Sequence, residues 1–190
     1  MELIIGIDEA GRGSWAGPLV VALVILNEPI IGLNDSKKIS KKNRKLISEL
    51  VYKNAAEVSV GWASPKEIDE LGLTKAERKA IISALKQIKS SYSEIIIDGK
   101  YNFIPDNLSS KAIVRADQFI PEVSAASIIA KVTRDRFMEE QALIYPEYFF
   151  DHHYGYGTKL HLESLKKHGP SPIHRMSYKP LIDIVKKSNS

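Results

Sequence analysis

Asp8 and Glu9 stand side by side at the end of the apolar run 3–7, and the chain passes straight from them into Ala10-Gly11-Arg12-Gly13. Two adjacent carboxylates at a strand end, followed by a glycine-flanked arginine, are half of what a metal-dependent phosphodiester site needs. Three further acids lie where an apolar run ends or a helix begins: Asp98 after Ile95-Ile96-Ile97, Asp117 after residues 112–116, and Asp135 between Arg134 and Arg136. Carboxylates at the ends of neighbouring strands can converge on one point of a sheet edge. An all-oxygen cluster suits Mg2+ or Mn2+, hard cations that take carboxylate and water ligands and bridge to substrate phosphates. Two such ions, about 3.5–4 Å apart, activate a water and stabilise the leaving oxygen of an in-line displacement, so hydrolysis needs no protein nucleophile. Any single Asp after a strand is equally well a turn former. Adjacent acids directly after an apolar strand are harder to explain as packing, because like charges repel.

Competing chemistries find less support. The sequence has no cysteine, which removes disulfides, thiolate metal sites and thiol nucleophiles. His152, His153 and His161 are close in sequence, but without cysteine or a His-Glu-x-x-His spacing they make a poor zinc site. Residues Gly11 to Ala16 formally match the G-x-G-x-x-A phosphate loop. That fingerprint has to open a helix, whereas Gly17-Pro18 leads into the strand-like run 19–26, so the match is read as accidental. Asp135, flanked by arginines in a helical pattern, is read as an ion-pairing or scaffold residue rather than a ligand.

The elements that must position these residues follow from periodicity. Residues 2–8 and 18–26 read as buried strands, short and rich in Ile, Val and Leu, and their brief connection predicts an antiparallel pair. Ser40 caps a basic amphipathic helix over 41–53, and 57–62 alternates as a further strand. Ser64-Pro65-Lys66-Glu67 and Thr74-Lys75-Ala76-Glu77 both carry capping-box spacing, which predicts a short helix and a longer one running to about residue 89. Strands follow at 94–98 and 111–116, then a long helix over 123–143. From residue 145 the chain is dense in aromatics, His and Gly; Thr158 caps a helix to about 167, and a last helix starts near Ser177. A hairpin followed by alternating strands and helices predicts an α/β fold with a mixed sheet and helices on its faces.

With 190 residues, 44% of them hydrophobic and 26% charged, the chain fits one domain over 1–190 with a core large enough to need no disulfides. A formal net charge of +4 permits phosphate contacts without requiring them. No secretory leader is recognisable, and the longest early apolar stretch, 19–26, is too short to span a bilayer, so a soluble, cytoplasmic protein is expected.

Several blocks, in order, carry a resemblance that covers nearly the whole chain: Gly6-Ile7-Asp8-Glu9-Ala10-Gly11-Arg12-Gly13 with Ala16-Gly17-Pro18; Asp35-Ser36-Lys37-Lys38; Ile97-Asp98-Gly99; Ala116-Asp117; residues 124–136; Gly155-Tyr156-Gly157-Thr158; and His168-Gly169-Pro170 with Pro172-Ile173-His174-Arg175. Together they resemble ribonuclease HII, the type 2 ribonuclease H family. The resemblance implies a ribonuclease H-like mixed five-stranded sheet with a C-terminal helical, substrate-binding extension over about 145–190. It implies an endonuclease that hydrolyses the RNA strand of RNA/DNA hybrids and cleaves 5′ to single ribonucleotides in duplex DNA, leaving 3′-hydroxyl and 5′-phosphate ends. Asp8, Glu9, Asp98 and Asp117 are then the metal-binding catalytic acids for Mg2+ or Mn2+, two ions during turnover. Gly11, Arg12 and Gly13 grip the substrate around the ribose 2′-hydroxyl, the group that separates RNA from DNA at one position. Tyr156 stacks on the sugar of the following deoxynucleotide, and Lys37 and Lys38 lie near the scissile phosphate. The chain departs from many relatives in carrying Gly72 where they have Asn, and in a short loop at 99–110, which leaves the preference between single ribonucleotides and long hybrids open. A monomer is expected, and residues 186–190 carry no recognisable clamp-binding peptide. The rival classes are a hybrid-binding module without catalysis and a nuclease of the same fold acting on other nucleic acids.

Overall fold

A computed structural model describes residues 3–30, 33 and 40–188 of the chain, with side chains to 186. Lys37 and Lys38 lie outside the described residues.

Five strands form one mixed sheet in the order β3-β2-β1-β4-β5. They are β1 (Ile4–Ala10), β2 (Leu19–Leu26), β3 (Ala55–Ala63), β4 (Glu94–Asp98) and β5 (Ser110–Ile113). β1 and β2 form the expected antiparallel hairpin, β3 continues it, and β4 and β5 run parallel to β1. Every residue of β2 is buried. That explains why it reads as an unbroken apolar run rather than an alternating one: both faces of the central sheet are covered.

The helices divide between those faces. On one side α2 (Pro65–Leu71) and α3 (Leu73–Leu85) pack Ile68, Ala76, Ala80 and Ile81 against Ile5, Ile7, Val21, Leu23 and Ile97. On the other, α1 (Lys41–Asn54) and α4 (Pro121–Ile144) pack Val51, Ala125, Ala126 and Ile129 against Ala10, Ala22 and Val24. Each fully buried Ile or Leu of these layers contributes about 1.5–3 kcal/mol. The small residues at the start of α4 bring its backbone close to β1. A Cβ on Gly6 would fall 2.2 Å from the carbonyl carbon of Glu122, so only glycine fits there.

A third core lies under the C-terminal segments α5 (Phe150–His153), α6 (Lys159–His168) and α7 (Lys179–Ser188), where Ala16, Met138, Tyr148, Phe150, Leu165 and Leu181 meet. Residues 15–17 of the β1–β2 loop are tied to it. The amides of Trp15 and Ala16 donate to the carbonyl of Gly155, and the amide of Arg175 donates to that of Trp15.

Ser40, Ser64 with Glu67, and Thr158 cap their helices as expected. Four boundaries differ from the expectation. α3 starts at Leu73 behind Gly72, whose φ of 77° ends α2 and opens α3 together, so Thr74 sits inside the first turn and caps nothing. The helix stops at Leu85 rather than near residue 89. β5 ends at Ile113, because Arg115 adopts a left-handed conformation and throws Ala116–Gln118 into a 3-10 turn; Asp117 therefore sits on a turn beyond the strand end. The last helix opens at Lys179, the Ser177 backbone and hydroxyl being held by the Asp69 carboxylate.

Candidate metal and nucleic-acid site

The period-2 alternation of β1 resolves the crowding of Asp8 and Glu9. Gly6, Asp8 and Ala10 face α4, whereas Ile5, Ile7 and Glu9 face α3, so the two carboxylates leave the strand on opposite sides. Asp8 is 7% exposed and accepts hydrogen bonds from its neighbour's amide at 2.8 Å and from Ser127 of α4. In the parallel ladder Ile7 pairs with Ile97, which puts Asp98 level with Asp8 at the ends of adjacent strands. Asp98 accepts the amide of Ala116 at 2.8 Å, a bond that folds the Asp117 turn back over the strand end. Asp117 is 2% exposed.

These acids feel one another. Burial pushes the Asp8 carboxyl well above its ordinary range, and the charges of Asp98 and Asp117 push it further, against the Ser127 hydrogen bond. Glu9 is raised by burial first, then by Asp8, Glu77 and Asp98, with Arg12 opposing. Asp8 and Glu9, both pushed up by burial and by the neighbouring acids at this sheet edge, form a site whose missing charge is positive. Among the described residues no group of three His, Cys, Asp or Glu side chains is placed to hold a metal ion. Mg2+ and Mn2+ need fewer protein ligands, because they keep several waters and bind through one or two carboxylates plus substrate phosphates. The donor set thus fits the group in chemistry and charge.

Beside the acids, residues Glu9 to Gly13, Arg44, Ser127, Lys131 and Tyr156 line a cleft of about 380 Å³. Gly11 has a φ of 98°, and a Cβ there would fall 2.2 Å from Nε of Arg134, so both conformation and space demand glycine. Nothing lies within 4 Å of a Cβ placed on Gly13, whose backbone is open to an approaching strand. The Arg12 carbonyl accepts the Tyr178 hydroxyl at 2.7 Å and Nη1 of Arg175 at 3.2 Å, while its guanidinium pairs with Glu77 and lies 3.9 Å from Glu9. The Tyr156 ring is half-buried, with Lys131 Nζ 5.5 Å and the Arg134 guanidinium 5.3 Å from its centroid. Asp8, Glu9, Asp98 and Asp117 therefore lie along one edge of the sheet, Asp8 and Glu9 on its opposite faces, and Gly11, Arg12, Gly13 and Tyr156 border the adjoining cleft.

The side chains that assemble this cleft carried no chemical label in the sequence. Arg134 is fully buried and donates to the carbonyls of Pro18 at 2.9 Å, Tyr154 at 2.9 Å and Ala16 at 3.0 Å, stapling the β1–β2 loop to the loop that carries Tyr156. Arg175, equally buried, reaches Gly17 and Arg12. Both stood inside the blocks 124–136 and 172–175, and a strong burial of arginine is invisible to periodicity. Asp135 is ion-paired, as expected, but with Lys131 one turn back at 2.7 Å; Arg136 pairs with Glu140 instead. His153, His161 and His174 stack and hydrogen-bond in the third core, His161 to His174 at 2.9 Å, and burial lowers all three pKa values; His152 is exposed beside Asp151.

Comparison with known proteins places the chain. The family model described as Ribonuclease HII matches residues 5–181. A Ribonuclease HII from Shewanella pealeana is 49% identical over 179 residues, 93% of this chain and 87% of the relative. One from Bacillus cytotoxicus is 43% identical over 188 residues, covering 98% and 72%. Among solved structures, ribonuclease H2 from Pyrococcus horikoshii superimposes with a TM-score of 0.85 at 28% identity, over 99% of both chains. Bst-RNase HIII in complex with Mn2+ shares the fold at a TM-score of 0.75 and 17% identity, over 98% of this chain and 70% of that one.

Proposed function

The chain belongs to the ribonuclease HII family and is a type 2 ribonuclease H endoribonuclease, and we propose that it cleaves 5′ to single ribonucleotides embedded in duplex DNA, as well as within the RNA strand of RNA/DNA hybrids, leaving 3′-hydroxyl and 5′-phosphate ends. The observation that carries this reading is the juxtaposition of Asp8 and Glu9, both raised by burial and by neighbouring acids, with a glycine-lined cleft and a half-buried tyrosine. Asp8, Glu9, Asp98 and Asp117 are the groups that would hold two divalent ions, Mg2+ or Mn2+. Such ions supply activation of the attacking water and stabilisation of the leaving oxygen. The Mn2+ complex of the RNase HIII relative is in keeping with this donor set.

The chain's own residues do the recognition. The Gly11-Arg12-Gly13 backbone, open at Gly13 and fixed at the Arg12 carbonyl, meets the ribose and its 2′-hydroxyl. Tyr156 offers its ring to the next sugar, held by the Arg134 staple at a fixed distance from that backbone. Lys131 and Arg44 in the same cleft neutralise phosphates, and the same role is assigned to Lys37 and Lys38, outside the described residues. Residues 145–190 act as the substrate-binding extension of one domain over 1–190, working as a monomer in the cytoplasm. Among the described residues no helix is long and apolar enough to cross a membrane.

The test is a labelled DNA duplex containing one ribonucleotide, incubated with Mg2+, Mn2+ or EDTA. Cutting at the 5′ side of the ribonucleotide in the presence of metal is expected. Metal-independent cutting, or binding without cutting, refutes the proposal.

A further inference from the structure

Glu77 has no place in the chemistry described so far, yet it is among the most buried acids of the chain, 2% exposed on α3. Its carboxylate pairs with Nη1 of Arg12, while Nε of the same guanidinium lies 3.9 Å from Oε1 of Glu9. One cation therefore stands between two carboxylates, a buried one on the helix and one at the metal edge. Burial decides how it is shared. A buried carboxylate has no water to replace a lost partner, so the contact at Glu77 is costly to give up. Glu9, with a side chain 22% exposed and its contact at the outer limit of an ion pair, holds Arg12 only weakly.

We infer that Glu77 is a positioning residue that parks the Arg12 guanidinium away from Glu9, leaving the Glu9 carboxylate available to a divalent cation. This rests on the reading of Glu9 as a metal ligand. Without the Glu77 charge, the planar fork of Arg12 is released to close on Glu9 as a bidentate pair. A cation must then displace Arg12 from the same oxygens. For a partly exposed ion pair this competition amounts to about a five-fold loss of metal affinity.

The experiment measures Mn2+ binding to the substrate-free full chain from the electron paramagnetic resonance signal of free Mn2+, in wild type, Glu77→Gln, Arg12→Met and the double variant. Glu77→Gln weakens Mn2+ about five-fold, and the same substitution is silent in the Arg12→Met background. Unchanged affinity in Glu77→Gln overturns the inference, as does an equal loss in the Arg12→Met background, which means that Glu77 acts on the metal directly. A measurement on wild type serves if Glu77→Gln does not fold. The Arg12 Nη–H resonances, assigned by their absence in Arg12→Met, keep the exchange protection of the Glu77 pair as Mg2+ is added, and rapid exchange in the metal-bound protein overturns the inference. A wild-type chain that binds no Mn2+ with or without a duplex fails earlier, at the metal reading itself.

Discussion

Arg134→Met removes the staple between the two substrate-facing loops while keeping a long apolar stem in place. Three carbonyls, of Ala16, Pro18 and Tyr154, lose their donor. A buried acceptor left without a partner costs about 1–3 kcal/mol, so the three together cost roughly 3–9 kcal/mol. Part of this is returned, because the wild type carries the desolvation of a guanidinium so deeply buried that its pKa is lowered to about 10. That penalty is several kcal/mol. The balance is a destabilisation of about 2–5 kcal/mol. At roughly 2–4 °C per kcal/mol for a chain of this size, the melting temperature falls by about 4–20 °C. Urea and thermal unfolding followed by circular dichroism measure it. At a temperature where the variant is still folded, cleavage of a single-ribonucleotide duplex falls as well, because the Gly11–Gly13 backbone and Tyr156 no longer keep a fixed separation. A melting temperature within about 2 °C of wild type, with unchanged cleavage, would mean that the staple is incidental and that the third core alone sets the spacing of the loops.

Asp117→Asn keeps the shape of a buried acid but removes its charge, so turnover drops by orders of magnitude while duplex binding, measured by fluorescence anisotropy, persists; wild-type turnover would point to Asp135 instead. Tyr156→Ala reduces cleavage of a single-ribonucleotide duplex more than cleavage of a long hybrid, and equal losses in a side-by-side gel assay would remove its junction-sensing role. Asp8 and Glu9 have folded-state pKa values raised from 3.8 and 4.5 to about 7 and about 9. The folded state therefore binds more protons than the unfolded one, and metal-free stability falls as pH rises from about 4 to about 9. Added Mg2+ needs the ionised carboxyls, so the stabilisation it confers grows over the same window; thermal shifts with Mg2+ and with EDTA across this range check both slopes, and a Mg2+ effect that shrinks with pH contradicts the assignment of these two acids.

What could be read from the sequence was what neighbours in sequence decide. The β1–β2 hairpin, the Ser40 and Thr158 caps and the Ser64–Glu67 box each depend on residues a few positions apart, and all are present. The second box was legible in the same way and is absent. Gly72 caps α3 two residues before Thr74, and Glu77 is drawn inward by Arg12, a partner 65 residues away. The acids of the site were visible as strand-end carboxylates, but the fact that Asp8 and Glu9 point to opposite faces follows from which helices cover the sheet. The Asp117 turn hangs on a single left-handed residue, Arg115, of a type that gives no warning of it. Arg134 and Arg175 were the least legible. Their partners at Ala16, Gly17 and Pro18 lie more than a hundred residues away along the chain, so no local pattern announces that these two arginines are interior.

That long reach fixes the order in which the molecule acquires its properties. On the ribosome, β1, β4 and the Asp117 turn emerge before residues 153–178, which anchor the β1–β2 loop and carry Tyr156. On the proposed reading, the acidic edge is thus made before the residues assigned to telling a ribose from a deoxyribose. Those residues take their places only when the C-terminal segments close over the β1–β2 loop.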